Sequence, residues 1–187
     1  KDPEIRVRWG RLLLDRFNTS DSTALFNEAL QLKADYPPAL LGLALVASEA
    51  FDRRAMEFAA KAVEKDPELV EAHELLASLH LEDVNQAKAA GEAQAALKLS
   101  PDALDAQALL GAIEILNDRA TLDPSSNAPL AAMLARSPSY GQGFARIGHW
   151  LVLNRRYTDA IEAYRKALAL DPSLDRAKSE LAINLMR

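Results

Sequence analysis

Apolar residues recur along this chain at spacings of three and four, as in Leu75, Leu76 and Leu79, which marks the buried face of a helix. Breakers and polar clusters interrupt the pattern at short intervals. The pattern predicts paired antiparallel helices near 3–16 and 20–34, 38–50 and 53–65, 70–82 and 86–99, 104–117 and 127–136, and 141–154 and 158–170. A last helix starts near Leu174. No apolar run approaches the roughly 18 residues of a membrane-spanning helix.

One slot repeats through the chain. Gly10, Ala44, Ala77, Gly111, Gly148 and Ala182 are separated by 34, 33, 34, 37 and 34 residues. A large apolar residue precedes each: Trp9, Leu43, Leu76, Leu110, Ile147 and Leu181. A second alanine slot follows at Ala29, Ala62, Ala96 and Ala167, with Pro67, Pro101 and Pro172 five residues beyond three of these. A fixed period of this length marks a repeat array. The small slot has a physical reason, because two helices approach closely only where no bulky side chain stands between them. A large residue there would cost about 1–3 kcal/mol in overpacking. A proline disfavours helix at the residue before it, so Asp66, Ser100, Ser137 and Asp171 are expected to end their helices. Ser20 and Asn85 are expected as N-caps.

The segment from Phe144 to Pro172 carries Ile147-Gly148, Tyr157, Ala160, Tyr164, Ala167 and Asp171-Pro172. With these residues the chain resembles the tetratricopeptide repeat family. The copy from Ala72 to Pro101 keeps the spacing but has Ala93 in the aromatic slot. The resemblance implies an all-α, right-handed superhelical solenoid of antiparallel helix pairs, about five repeats plus a terminal helix. Residues 1–187 are read as one domain, with repeats at 3–36, 37–69, 70–103, 104–140 and 141–174 and a partial one at 175–187. The fourth repeat departs from the pattern. Residues 118–127 read DRATLDPSSN, and Pro124 and Pro129 fall where a regular second helix would begin. A shortened second helix behind a longer loop is expected, the loop being either a specificity element or a tolerated insertion.

Charge and composition narrow the function classes. The net charge of −5 and pI of about 5.3 argue against nucleic acid as the main partner, which calls for a basic stripe. The doublets Arg53-Arg54 and Arg155-Arg156 fall at turns. There is no cysteine, so no disulfide framework or thiolate zinc site, and either cytoplasm or periplasm fits. His73-Glu74 opens like a zinc-protease motif, but Ala77 stands where the second histidine must be. His73 and His80 lie seven apart without a third ligand, and Gly141-Gln142-Gly143 reads as an inter-repeat joint, not a phosphate loop. No nucleophile–base set is present, so the chain is read as non-catalytic, with no cofactor and no metal.

In the resembled family the first helix of each pair lines a concave groove. Carried over, that groove is formed by Leu41, Leu45 and Glu49; by Glu71, Glu74, Ser78 and Glu82; by Asp105, Ala112 and Ile115; and by Gln142, Ala145, His149 and Val152. Its middle is acidic and its floor partly apolar, which suits a basic or amphipathic peptide or protein segment. The lysine- and asparagine-based clamp of heat-shock cochaperones is not expected. Its places are taken by Val7, Arg11, Leu75, Gln142 and Arg146, of which only Arg146 fits. The expected function is therefore a protein-interaction scaffold. The alternatives are the non-catalytic arm of a larger enzyme, such as a bacterial metallopeptidase-like protein, or a structural spacer.

The ends add one expectation. Lys1-Asp2-Pro3-Glu4 recurs as Lys65-Asp66-Pro67-Glu68, where one repeat hands over to the next. Near the other end Leu181, Ala182 and Leu185 occupy first-helix slots, with Ile183 and Met186 facing a missing neighbour. The chain thus reads as a segment of a longer array whose terminal faces can self-associate.

Overall fold

A computed structural model describes residues 2–186 of the chain; Lys1 and Arg187 lie outside the described residues. Among these the regular structure is entirely helical: α1 Pro3–Leu14, α2 Thr19–Leu32, α3 Pro37–Glu49, α4 Arg54–Lys65, α5 Val70–Glu82, α6 Gln86–Leu99, α7 Leu104–Leu116, α8 Ala128–Arg136, α9 Gly141–Leu153, α10 Tyr157–Leu170 and α11 Asp175–Leu185. The odd-numbered helices are the first members of the repeats. The chain divides into two compact units, Lys1–Leu79 and His80–Arg187, with the division inside α5.

Local chemistry sets the boundaries. Asp66, Ser100, Ser137 and Asp171 are the C-caps of α4, α6, α8 and α10, as the proline slots require. Asn18, Asn85 and Asn127 cap α2, α6 and α8, each accepting a backbone N–H three residues on. The cap of α2 is thus Asn18, not Ser20, which lies inside the first turn. The two Lys-Asp-Pro-Glu segments do different jobs. Asp2 is the N-cap of α1 with Pro3 opening the helix, whereas Asp66 closes α4. Their likeness is therefore local: in both, the aspartate accepts from the glutamate two residues on.

Every first-to-second-helix turn closes in one way. Phe17, Phe51, Val84, Asp118 and Arg155 have φ between 53° and 60°. The next residue donates its N–H five residues back, as in Asn18 to Leu13 and Arg156 to Leu151. This is a Schellman closure, which usually places glycine in the left-handed position.

In the first unit the ring of Phe26, on α2, fills the space left by Gly10 and Gly42; a β-carbon at Gly10 would stand 2.6 Å from it. Phe26 and Ala29 form one cluster with Val7, Ala39 and Leu43. Ala55, Ala59 and Ala62 of α4 pack in two further clusters that include Leu76, Leu79 and Ala72 of α5.

In the second unit Leu130 faces Gly111 and Tyr164 faces Gly148, at 2.6 Å and 2.8 Å from the positions a β-carbon would take. α8 is short, as expected, and Asn127 anchors it. Its Nδ2 donates to the carbonyls of Gly111 and Thr121, both at 3.1 Å, while its Oδ1 accepts from Leu130 N. Arg156 is more than a solvated turn residue, binding Asp118 and Asp159 at 2.8 Å and 2.7 Å. Gly141 and Gly143 are not a joint. Both are buried within α9, where a β-carbon would strike the Ala167 carbonyl or the Met133 sulfur, so they serve close approach.

The terminal helices correct two expectations. Trp9, which shares its repeat slot with the buried Leu43, Leu76 and Ile147, is 57% exposed. In α11, Ala182 and Leu185 are exposed and Leu181 is half-buried, with Ile183 and Met186 also exposed. The cause is the same at both ends: no helix among the described residues covers the outer side of α1 or pairs with α11.

Candidate binding face on the first helices

Within each unit, side chains of different first helices pair with one another. In the first unit, Arg11 of α1 forms an ion pair with Glu71 of α5, reaching past the intervening α3. In the second unit, Arg146 of α9 pairs with Asp105 of α7 at 3.1 Å. The Tyr140 hydroxyl, just ahead of α9, donates to the other oxygen of Asp105 at 2.7 Å.

The sequence-derived groove residues divide by burial. Leu41, Ala112, Ile115 and Ser78 are buried. Leu41 packs in a cluster with Ala62 of α4 and Ala72 of α5, because α3 is apolar on nearly every side and is covered from several directions. These four side chains are thus covered rather than open. Leu45, Glu74, Glu82, Asp105, Ala145, His149 and Val152 are half-buried, and Glu49, Glu71 and Gln142 are exposed. In the second unit the residues that remain accessible are chiefly those of α9.

His149, on α9, is half-buried. Burial pushes its pKa below the ordinary histidine value. Glu82 and Glu180 oppose this shift, and Arg176 and Arg146 add to it. Groups on α5, α9 and α11 therefore act on one imidazole. Arg176 and Glu180 were missed in the sequence reading. They stand in α11 where Gln142 and Arg146 stand in α9, 34 residues earlier, so the repeat period alone could have found them.

The acidic character expected of the groove is moderated by these pairs, since Glu71 and Asp105 each have a cationic partner. The arrangement offers a half-exposed apolar strip, Ala145 and Val152, between polar groups of both signs. His73 is occupied structurally, its Nε2 lying 3.0 Å from the Pro67 carbonyl. Gln107, at the same place in the next repeat, donates to the Pro101 carbonyl at 3.0 Å. Among the described residues no three histidine, aspartate or glutamate side chains are grouped to hold a metal ion. No described helix is long and apolar enough to cross a membrane.

No family model matches the chain. The small glutamine-rich tetratricopeptide repeat-containing protein 2 of Mycosarcoma maydis is 42% identical over 45 residues, which are 24% of this chain and 13% of that protein's length. Among solved structures, a thermophilic TPR protein of Thermus thermophilus superposes with a TM-score of 0.71 at 19% identity, over 99% of this chain and 100% of that one. YrrB, described as a TPR protein with an unusual peptide-binding site, gives 0.56 at 18% identity, over 93% of this chain and 89% of that one.

Proposed function

We propose that this chain, which has the tetratricopeptide-repeat fold, is a non-catalytic scaffold that holds an amphipathic peptide or protein segment on its first-helix face. The observation that carries this reading is the α9 strip. Ala145, His149 and Val152 stay half-exposed while the equivalent residues of α7 are buried. An apolar strip flanked by a few fixed polar groups is the usual chemistry of a peptide site. The peptide-binding site named for YrrB supports the same class of partner.

The ligand's apolar side chains supply most of the affinity. Basic residues on it add less than the sequence suggests, because Glu71 and Asp105 are already paired. Nucleic acid is disfavoured by the chain's net charge of −5.

A displayed peptide library selected on the 187-residue chain tests this. Enriched peptides are expected to lose at least about tenfold in affinity with Val152→Arg, a difference of about 1.4 kcal/mol, and to keep it with Glu162→Lys on the exposed side of α10. Thermal melting of Val152→Arg confirms that the variant is folded. Peptides indifferent to Val152→Arg, or a selection that enriches none, contradict the reading.

A further inference from the structure

Phe17 and Phe51 close the first-to-second-helix turns of the first unit, and they are 88% and 77% exposed. Each sits in left-handed backbone, at φ of 59° and 53°, a conformation that is costly for a residue with a side chain and favours glycine. The turn itself calls for no aromatic ring, since Val84, Asp118 and Arg155 close it in later repeats. Nor does the core, from which both rings stand out. A second observation falls at the same place. Among the described residues of this unit, Arg6, Arg8, Arg11 and Arg54 pair with Glu28, Glu4, Glu71 and Asp52. Arg16 and Arg53 are the arginines left without an ion pair, and both are exposed. One adjoins Phe17 and the other lies two residues past Phe51. The two turns form one surface. α1 and α3 pack against each other, so their axes are about 8–10 Å apart. Phe17 and Phe51 hold the same place at the two helix ends, each donating its N–H three residues back, to Leu14 and Ser48. The rings therefore stand about one helix spacing apart, each with an unpaired guanidinium beside it.

We propose that Phe17 and Phe51, with Arg16 and Arg53, form a second docking surface, one that takes an acidic amphipathic helix of a protein partner. Spacing and charge select the occupant. Seven residues of helix rise about 10.5 Å, so apolar side chains at i and i+7 can meet both rings at once. Carboxylates beside that stripe then answer both arginines. Phenylalanine and arginine are also residues that protein interfaces favour. A lipid surface fits less well. Docking on anionic lipid calls for a cluster of about four to eight lysines or arginines, whereas Asp15, Glu49 and Asp52 stand among these turns. The two rings offer on the order of 300 Å², well short of a standard interface, so the contact is weak and readily reversed. The surface shares no residue with the α9 strip.

The test uses a displayed library of helical peptides with a leucine stripe and flanks drawn from glutamate and lysine. The library is first depleted on the chain carrying Phe17→Gly and Phe51→Gly, which removes binders of the α9 strip, and then selected on the 187-residue chain. Glutamate-flanked peptides are expected to be enriched, and to bind the glycine variant at least about tenfold more weakly. Glycine suits the left-handed turns, so that variant is expected to melt no lower than the parent, which separates lost binding from lost folding. Arg16→Glu with Arg53→Glu is expected to shift the preference about tenfold towards lysine flanks, while Glu162→Lys on α10 leaves it unchanged. A selection that enriches nothing after depletion overturns the proposal, as does a preference for lysine flanks on the parent chain. A marked fall in Tm with the two glycines overturns it too, since the rings would then belong to the fold. Co-sedimentation of the parent chain with phosphatidylglycerol–phosphatidylcholine vesicles, abolished by the two glycines, would assign the surface to lipid instead.

Discussion

The α9/α10 and α7/α8 pairs occupy the same places in successive repeats of the second unit, yet they differ in what they leave accessible. Both press a second-helix side chain onto a first-helix glycine: Tyr164 onto Gly148 in one, Leu130 onto Gly111 in the other. In the regular pair a helix of full length delivers the aromatic knob. In the irregular pair the helix is nine residues long, and Asn127 ties its start to the glycine's own carbonyl. Beside the glycine on the first helices the pairs diverge. Ala112 and Ile115 are buried, whereas their counterparts His149 and Val152 remain half-exposed. Closing the glycine slot is thus common to both pairs, and an accessible strip is not. The repeat keeps its packing while varying what it leaves exposed.

The largest expected effects come from emptying the knobs. Tyr164→Ala should cost about 3–5 kcal/mol, and Leu130→Ala about 2–5 kcal/mol, in chemical denaturation. Tyr164→Phe sharpens the comparison. The Tyr164 hydroxyl is buried without a hydrogen-bond partner, and burial raises its pKa far above the ordinary value. Removing it should be neutral or stabilising by up to about 1 kcal/mol. A loss similar to that of Tyr164→Ala would show that the hydroxyl, not the ring, holds the pair.

Asn127→Ala comes next. It removes the cap of α8 and leaves two carbonyls unanswered, so a loss of about 2–3 kcal/mol is expected by thermal or urea unfolding. Glu162→Ala on exposed α10 should change stability by less than about 0.5 kcal/mol in the same measurement.

Acid should separate the two faces. Because the pKa of His149 is lowered on folding, the unfolded chain takes up its proton first as pH falls. Stability should be level above about pH 7 and decline as pH drops through the ordinary histidine value near 6.5. His80, also lowered by burial, shares that slope. Asp123 and Asp171 are lowered by hydrogen bonds from Ser125 and Ser173, and they act only in the lower carboxylate range. His149→Gln should flatten part of the decline between pH 7 and 5, whereas changes at Ala112 should leave it intact.

The smallest effect concerns the turns. Arg155 and Asp118 sit at φ of 60° and 54°. Arg155→Gly should raise stability by up to about 1 kcal/mol, since the left-handed conformation costs a residue with a side chain 1–2 kcal/mol and glycine's greater loss of chain entropy offsets part of the gain. Asp118→Gly should gain less, because aspartate tolerates that region better.

Much of this was readable in the chain. Four C-caps followed from prolines and hydroxyl or carboxylate residues, and the short α8 followed from Pro124 and Pro129. The Schellman turns were not readable, because Phe17, Phe51 and Val84 are poor candidates for a left-handed position. Leu41, Ala112 and Ile115, carried over as groove residues, are buried. Periodicity gives the direction of a side chain, not how many neighbours close over it. The Arg11–Glu71 pair was invisible for a related reason, since it depends on the reach of one long side chain past α3.

The most direct test of the central claim is amide chemical-shift mapping of a selected peptide on the isotope-labelled chain. The account predicts that the perturbed residues centre on Ala145, His149 and Val152, with Gln142 and Arg146 beside them, while the exposed side of α10 around Glu162 and Arg165 is unmoved. Perturbations centred on α10 or on the 118–127 loop, with α9 silent, would contradict it.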